Sequence, residues 1–472
     1  MEDAIVLYPS AGMGHLISMV ELAKLILKHY SLFSIKVLVC ASPSISPDAT
    51  TKYIASVSTT TPSVVFHHLP TAPLPPDSSL KVEQLAYELS CLNNPNLRHA
   101  LGTILETSQI KAFILDFFND VAFDVTDELK IPTYYFYTSS ASSLTVFLYF
   151  PTLHRSTKED FKDIKKLPEI PGWSSFPASN MPEVIHVRNS YIYRRLLESA
   201  EKFTKSKGIL VNTFESLEKR AVSSLVEGLC VPDGHTPPIY CVGPLISTNE
   251  ITEHECLSWL STQPSKSVVF LCFGSMGMLS AKQLMEMAIG LENSGHGFLW
   301  VVRNPPADNT KQSVSGVAEE PNLDELLPQG FLDRTRDRGM VVKSWAPQVA
   351  VLNHDSVGGF VTHCGWNSIL EAICAGVPML AWPLYAEQKM NKASLVEEAK
   401  VALPLDELED GLVSAEELEK RVRELMESDT GKQVRERILT FRNEVGPSME
   451  KDGSSVTALA KFIDQIRVSS VA

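Results

Sequence analysis

Short apolar runs set the limits on what this chain can fold into. The first half carries "AIVLYP" (4–9), "SIKVLVCAS" (34–42), "KAFILDFF" (111–118), "PTYYFYTS" (132–139) and "GILVNTF" (208–214). The second half carries "SVVFLCFGS" (267–275), "GFLWVVR" (297–303), "GMVVKSW" (339–345), "GGFVTHC" (358–364) and "VPMLAWP" (377–383). Runs this short, apolar at consecutive positions, predict strands buried on both faces. The stretches between them have helical period: Met19, Leu22, Ala23 and Ile26 fall at i, i+3, i+4 and i+7. Buried strands alternating with amphipathic helices build parallel βαβ units.

The pattern starts twice. Between the two halves, "PPIYCVGPLISTNE" (237–250) passes through Gly243-Pro244 into polar residues and reads as an interdomain linker. The expected fold class is therefore α/β, with two doubly wound parallel-sheet domains. Residues 1–245 form the N-terminal domain, 246–256 the linker and 257–452 the C-terminal domain. Residues 453–472 form a final helix packing back on the N-terminal domain. Within the second half, the polar, Pro-rich 304–326 reads as a mobile surface loop. The segment "DGSSVTALAKFIDQI" (452–466) has the pattern of an amphipathic helix.

Composition narrows the class. With 472 residues, 44% hydrophobic and 21% charged, the chain can bury two cores. Its net charge of −14 argues against a nucleic-acid partner. The 8 cysteines include no CxxC and several sit in apolar runs, as reduced thiols of a cytoplasmic protein would. The start "MEDAIVLYPS" lacks the basic stretch of a signal peptide. No apolar run approaches the roughly 18–20 residues that span a bilayer, so no membrane insertion is expected.

In open α/β sheets ligands bind beyond the carboxyl ends of the strands, and with two such sheets the natural site is the cleft between them. "THCGWNS" (362–368) stands at such an end and opens a helix. Free N–H groups at a helix start bind phosphate, with His363, Asn367 and Ser368 as side-chain donors. A second reading stays open, since Ser368 and Glu371 have the spacing of a capping box. His363 and Cys364 have no further His or Cys at ligand spacing, so no metal is expected. Upstream, Trp345 in "SWAPQ" can stack on a planar base. Glu371 can hold ribose hydroxyls. The acid-amide pair Glu387-Gln388 can chelate vicinal sugar hydroxyls.

After the first strand, "PSAGMGHL" offers Gly12 and Gly14, but Ile17 stands where a dinucleotide fingerprint needs a third glycine. An NAD-dependent oxidoreductase is disfavoured. His15 at that strand end suits a general base near neutral pH. Asp116, after four apolar residues, needs a partner and could steady the imidazolium, with Asp120 and Asp124 as competitors.

The stretch "WAPQVAVLNHDSVGGFVTHCGWNSILEAICAGVPMLAWPLYAEQ" (345–388), with "FGSMG", "YCVGPL" and "GHLISMVELAKLI", resembles the signature of plant UDP-sugar-dependent glycosyltransferases. That family has two facing Rossmann-like domains, the GT-B fold. The resemblance implies that Trp345 stacks on uracil, with Ala346 and Gln348 nearby. His363, Asn367 and Ser368 would hold the diphosphate, with Ser275 assisting, and Glu371 the ribose. Trp366, Glu387 and Gln388 would contact the sugar, and Thr138 the sugar or its phosphate. His15 would be the base and Asp116 its partner.

Members using glucuronate often carry Arg where this chain has Trp366, and members preferring galactose often carry His where it has Gln388. The resemblance therefore implies UDP-glucose as donor substrate, with no other cofactor and no metal. It also implies inverting transfer to a small phenolic such as a flavonoid, isoflavone or chalcone. Phe117, Phe118 and Tyr385, with "SSASSLTVFLYF" (139–150), are the candidate acceptor pocket, and a monomer is expected. Transfer to carbon, another acceptor class such as terpenoids, and a catalytically silent nucleotide-sugar-binding protein are the alternatives.

Overall fold

A computed structural model describes residues 1–40, 47–71, 82–164, 167–247, 253–306 and 320–468. The chain divides into two units, Met1–Ser247 with Pro447–Ala472, and Thr248–Gly446. The first holds β1 (Glu2–Tyr8), β2 (Ser34–Val39), β3 (Val64–His68), β4 (Ser108–Asp116), β5 (Thr133–Tyr137), β6 (Ile209–Val211) and β7 (Ile239–Cys241). They pair in the order β3-β2-β1-β4-β5-β6-β7, every pair parallel. The second unit holds β8 (Val268–Cys272), β9 (Gly297–Val302), β10 (Gly339–Lys343), β11 (Val357–Thr362), β12 (Met379–Ala381) and β13 (Ala402–Pro404). Their order is β10-β9-β8-β11-β12-β13, again all parallel.

Helices cover both faces of each sheet, which is why the central strands are apolar at successive positions. In β1, Ile5 and Leu7 belong to one core and Val6 and Tyr8 to another on the opposite face. The last helix, Ser454–Val468, buries Leu459, Phe462, Ile463 and Ile466 in the first unit's core. Phe462 meets Tyr134 edge-on at 5.0 Å and Tyr240 at 5.7 Å between ring centroids. Ser455 Oγ donates to the Gly243 carbonyl at 2.6 Å. Among the described residues no helix is long and apolar enough to cross a membrane.

The structure corrects the sequence reading in four places. The 237–250 stretch is not wholly a linker, because Ile239–Cys241 pairs with β6 as the edge strand β7. The strands β3 and β13, not anticipated, are also edges. The run 111–118 stops being a strand at Asp116, and Phe117–Asn119 forms a 3-10 turn. Of the loop expected at 304–326, residues 307–319 lie outside the described residues, and Leu323–Leu326 forms a helical turn that packs on the core.

Phe462→Ala should cost the first unit about 3–5 kcal/mol, the usual range for truncating a fully buried aromatic. Hydrogen exchange should show protection falling in β5 to β7 while β8 to β13 exchange as in the wild type.

Candidate active site

Both sheets reverse their strand order once, between β1 and β4 and between β8 and β11. Connections leave such neighbours in opposite directions, which opens a crevice at their carboxyl ends. The candidate residues stand at these two reversals.

In the first unit, β1 ends at Tyr8 and the helix Met13–His29 begins five residues later, with His15 in its first turn. Asp116 is the last residue of β4, the strand paired with β1. Its fully buried Oδ2 lies 2.9 Å from His15 Nδ1, whose side chain is 26% exposed. An acceptor-only carboxylate fixes the proton on Nδ1, which makes Nε2 the basic nitrogen. Thr138 Oγ1, just beyond β5, lies 3.2 Å from the same Nδ1.

The other carboxylate oxygen, Oδ1, accepts from Ser10 Oγ at 2.6 Å and from the Phe118 backbone N–H at 3.2 Å. Asn119 Nδ2 donates to the Pro9 carbonyl at 3.0 Å and ties the two strand-end loops together. An alanine methyl at Gly12 would sit 2.9 Å from the His15 ring, so this close approach requires glycine. Asp124 pairs instead with Lys202 at 2.7 Å. Asp120 is buried, and burial pushes its carboxyl up to about 6.

In the second unit, His363 follows β11 and is 5% exposed. A methyl at Gly274 would lie 2.6 Å from its Nε2, and one at Gly365 would lie 2.3 Å from it. The two glycines therefore let the imidazole pack between backbone segments. Burial lowers its pKa to about 4, so the ring is neutral at physiological pH. Its Nδ1 is buried with no hydrogen-bond partner among the described residues. The helix Trp366–Ala375 starts at Gly365 with no side-chain cap, so Trp366, Asn367 and Ser368 occupy an anion-receptive first turn.

The capping-box alternative for Ser368 and Glu371 fails, because the helix begins before Ser368. Both side chains instead meet Gln348, whose Nε2 donates to Ser368 Oγ at 2.9 Å and to Glu371 Oε2 at 2.6 Å. Burial raises the Glu371 carboxyl to about 7, partly offset by that hydrogen bond. Trp345 is 54% exposed and meets the His254 ring edge-on at 5.8 Å, while Ala346 beside it is buried. Ser275 lies exposed beyond β8.

Glu387 and Gln388 are adjacent but not equivalent. Gln388 is buried, and its Oε1 accepts from the backbone N–H groups of Leu384 and Tyr385 at 2.8 and 3.0 Å. Its oxygen is thus committed to the loop, which corrects the expectation of a side chain offering both polar atoms to a sugar. Asn391 Nδ2 reaches Glu387 Oε1 at 3.4 Å and the Cys364 carbonyl at 3.0 Å.

The three acceptor candidates fall in different settings. Phe118 meets His15 edge-on at 5.5 Å. Phe117 instead packs with Tyr137, Phe147 and Phe203. Tyr385 stands 6.2 Å from the His363 ring, in the second unit. The sequence reading missed Ser10, Asn119 and Asn391, whose only signal was a polar side chain near a strand end or in a helix. Among the described residues no three of His, Cys, Asp and Glu are grouped so as to hold a metal ion.

Residues 189–441 match the family described as UDP-glucoronosyl and UDP-glucosyl transferase. The chain is 52% identical, over 98% of both proteins, to Anthocyanidin 5,3-O-glucosyltransferase of Rosa hybrid cultivar. It is 49% identical, again over 98% of both, to Isoflavone 7-O-glucosyltransferase 1 of Glycine max. UGT2 of Phytolacca americana, solved with UDP-2fluoro-glucose and pterostilbene, matches with a TM-score of 0.88 at 37% identity. That match covers 98% of this chain and 100% of the other. The chain belongs to the UDP-glucoronosyl and UDP-glucosyl transferase family and is a glycosyltransferase.

The raised Glu371 pKa gives a signed prediction. A carboxyl held near 7 against an ordinary 4.5 favours the folded state fully below pH 4.5, and that contribution is lost as pH rises toward 7. Glu371→Gln cannot ionise. Its thermal stability should match the wild type at the acid end and gain on it steadily up to neutral pH. A constant difference across that range would contradict the shift.

Proposed function

We propose that the chain transfers glucose from UDP-glucose to a hydroxyl of a small phenolic acceptor, a flavonoid, isoflavonoid or chalcone. The product is the β-glucoside. The observation that carries the chemistry is the His15–Asp116 pair at a strand-order reversal. A neutral hydroxyl is a weak nucleophile, so its proton must leave as its oxygen attacks. His15 Nε2 takes that proton while Asp116, on Nδ1, stabilises the imidazolium that forms. The acceptor oxygen bonds to the anomeric carbon, the bond from that carbon to the phosphate oxygen breaks, and UDP leaves. One displacement inverts an α-linked donor.

The leaving diphosphate meets the first turn of the Trp366–Ala375 helix and the neutral His363, with Asn367, Ser368 and Ser275 as further donors. Trp345 stacks on uracil, and Ala346 and Gln348 complete that end. Glu371 accepts from the ribose. Trp366, Glu387 and the amide of Gln388 contact the sugar, and Thr138 contacts the sugar or its phosphate. The uncharged donors stabilise the diphosphate by hydrogen bonding, with no metal ion. The relatives' names support a phenolic acceptor, being given for anthocyanidins and an isoflavone. Phe118 is the acceptor-side residue best supported, since it lies against His15. Eight free cysteines support a reducing cytoplasmic setting, where the chain would act as a monomer.

Mass spectrometry of the protein with UDP-glucose, a flavonoid panel and no added metal should show a gain of one hexose that survives a chelator. Absence of transfer to every phenolic would sink the acceptor assignment. His15→Ala should lower transfer at least about a hundredfold while UDP still binds. Retained turnover with lost UDP affinity would contradict the base role.

A further inference from the structure

We infer that Arg303 is the positioning residue of the uridine end of the donor site, holding the turn that presents Trp345. The inference rests on the donor reading above. Arg303 directly follows β9, which lies between β10 and β8 in the sheet. Its side chain reaches to both neighbours. Nη1 donates to the carbonyl of Ser275, beyond β8, and Nε donates to the carbonyl of Ser344, beyond β10, at 3.3 Å. One planar guanidinium thus bridges two strand-end loops, each carrying a residue assigned to the nucleotide.

The Ser344 turn needs such a hold. Ser344 has φ +63°, a left-handed conformation disfavoured for a residue with a Cβ. Its own N–H donates to the Val302 carbonyl at 2.8 Å, and the Trp345 N–H turns back to the Lys343 carbonyl at 2.7 Å. These two bonds and the Arg303 contact hold the peptide from which the half-exposed Trp345 ring projects. On the far side that ring meets His254. Only a rigid fork with several donors spans both carbonyls, and a lysine ammonium on a flexible stem does not reproduce this geometry.

The test uses the full-length protein, with UDP and uridine as probes. Arg303→Met should raise the KM for UDP-glucose about tenfold, the scale of one lost charge-assisted contact, with kcat and the acceptor KM within about threefold of wild type. UDP and uridine should both weaken, UDP at least as much as uridine, because the Trp345 turn serves both and the Ser275 loop only the diphosphate. In a Trp345→Ala background the same substitution should add little. Arg303→Lys should fall between wild type and Arg303→Met, and it covers the case in which the methionine variant does not fold.

Loss of UDP affinity with uridine unaffected would make Arg303 a phosphate contact and overturn the positioning role. Full additivity with Trp345→Ala would overturn it too. A wild type that transfers glucose, alongside an Arg303→Met variant with unchanged donor KM, would overturn this inference and leave the transferase reading intact. A wild type with no affinity for UDP would overturn both.

Discussion

The reversal of strand order in each sheet is the constraint on which the chemistry depends. The first six strands of unit one and the six of unit two follow the same sequence of neighbours, with a single reversal beside the first strand of each. A reversal brings the ends of two adjacent strands together although their residues are far apart in the chain. His15 and Asp116 are 101 positions apart and share a hydrogen bond. Gly274 and His363 come from β8 and β11 ends and pack so closely that an added methyl would not fit. Each pairing follows from parallel strands whose connections part at that point. Glycines at Gly12, Gly274 and Gly365 allow the final close approach.

The same topology offers several helix N-termini, and the protein keeps them from being equivalent. The helix Ala141–Ser156 follows β5 in the first unit, but its first turn is closed by the chain itself. Ser140 caps Ser143 N–H, and the buried Glu218 carboxylate accepts from Ala141 N–H and Ser142 N–H, both at 2.8 Å. Burial raises the Glu218 pKa, so placing the carboxylate there has a cost, but it satisfies the positive end of the helix internally. The Trp366–Ala375 helix starts at Gly365, which supplies no side-chain cap. One helix start thus carries an anion of its own, and the other begins at a glycine that supplies no cap.

How much of this the sequence revealed depended on burial. Central strands such as β1, β4, β8 and β11 are covered on both faces, so their residues are continuously apolar and the runs stood out. The edges β3, β7 and β13 have 3 to 5 residues, and β3 carries two histidines, so no long apolar run marked them. Asp116 was legible because a carboxylate inside an apolar run demands a partner. Ser10 was not, because a lone hydroxyl after a strand has many uses and its partner lies 106 positions away. Ser368 and Glu371 had the right spacing for a capping box. What excluded it was a helix start three residues earlier, at Gly365, which depends on a left-handed Cys364 that no residue pattern announced.

Left-handed non-glycine residues recur between positions 344 and 386, and nearby side chains bond the backbone around them. Ser344, Cys364 and Ala386 have φ of +63°, +64° and +53°, directly before Trp345, Gly365 and Glu387. Each such conformation costs about 1–3 kcal/mol and persists only where surrounding contacts hold it. Those contacts are visible at all three. Arg303 holds the carbonyl of Ser344, Asn391 holds the carbonyl of Cys364, and Gln388 accepts from the N–H groups of Leu384 and Tyr385, just before Ala386. In each case a polar side chain is committed to holding backbone. A site that tracks charge moving onto a diphosphate gains from donors already aimed, since no energy is then needed to turn them during the reaction. The residues proposed to meet the donor are therefore only part of this segment. The rest holds the turns that present them, and it accounts for polar groups that look misplaced when each is considered alone.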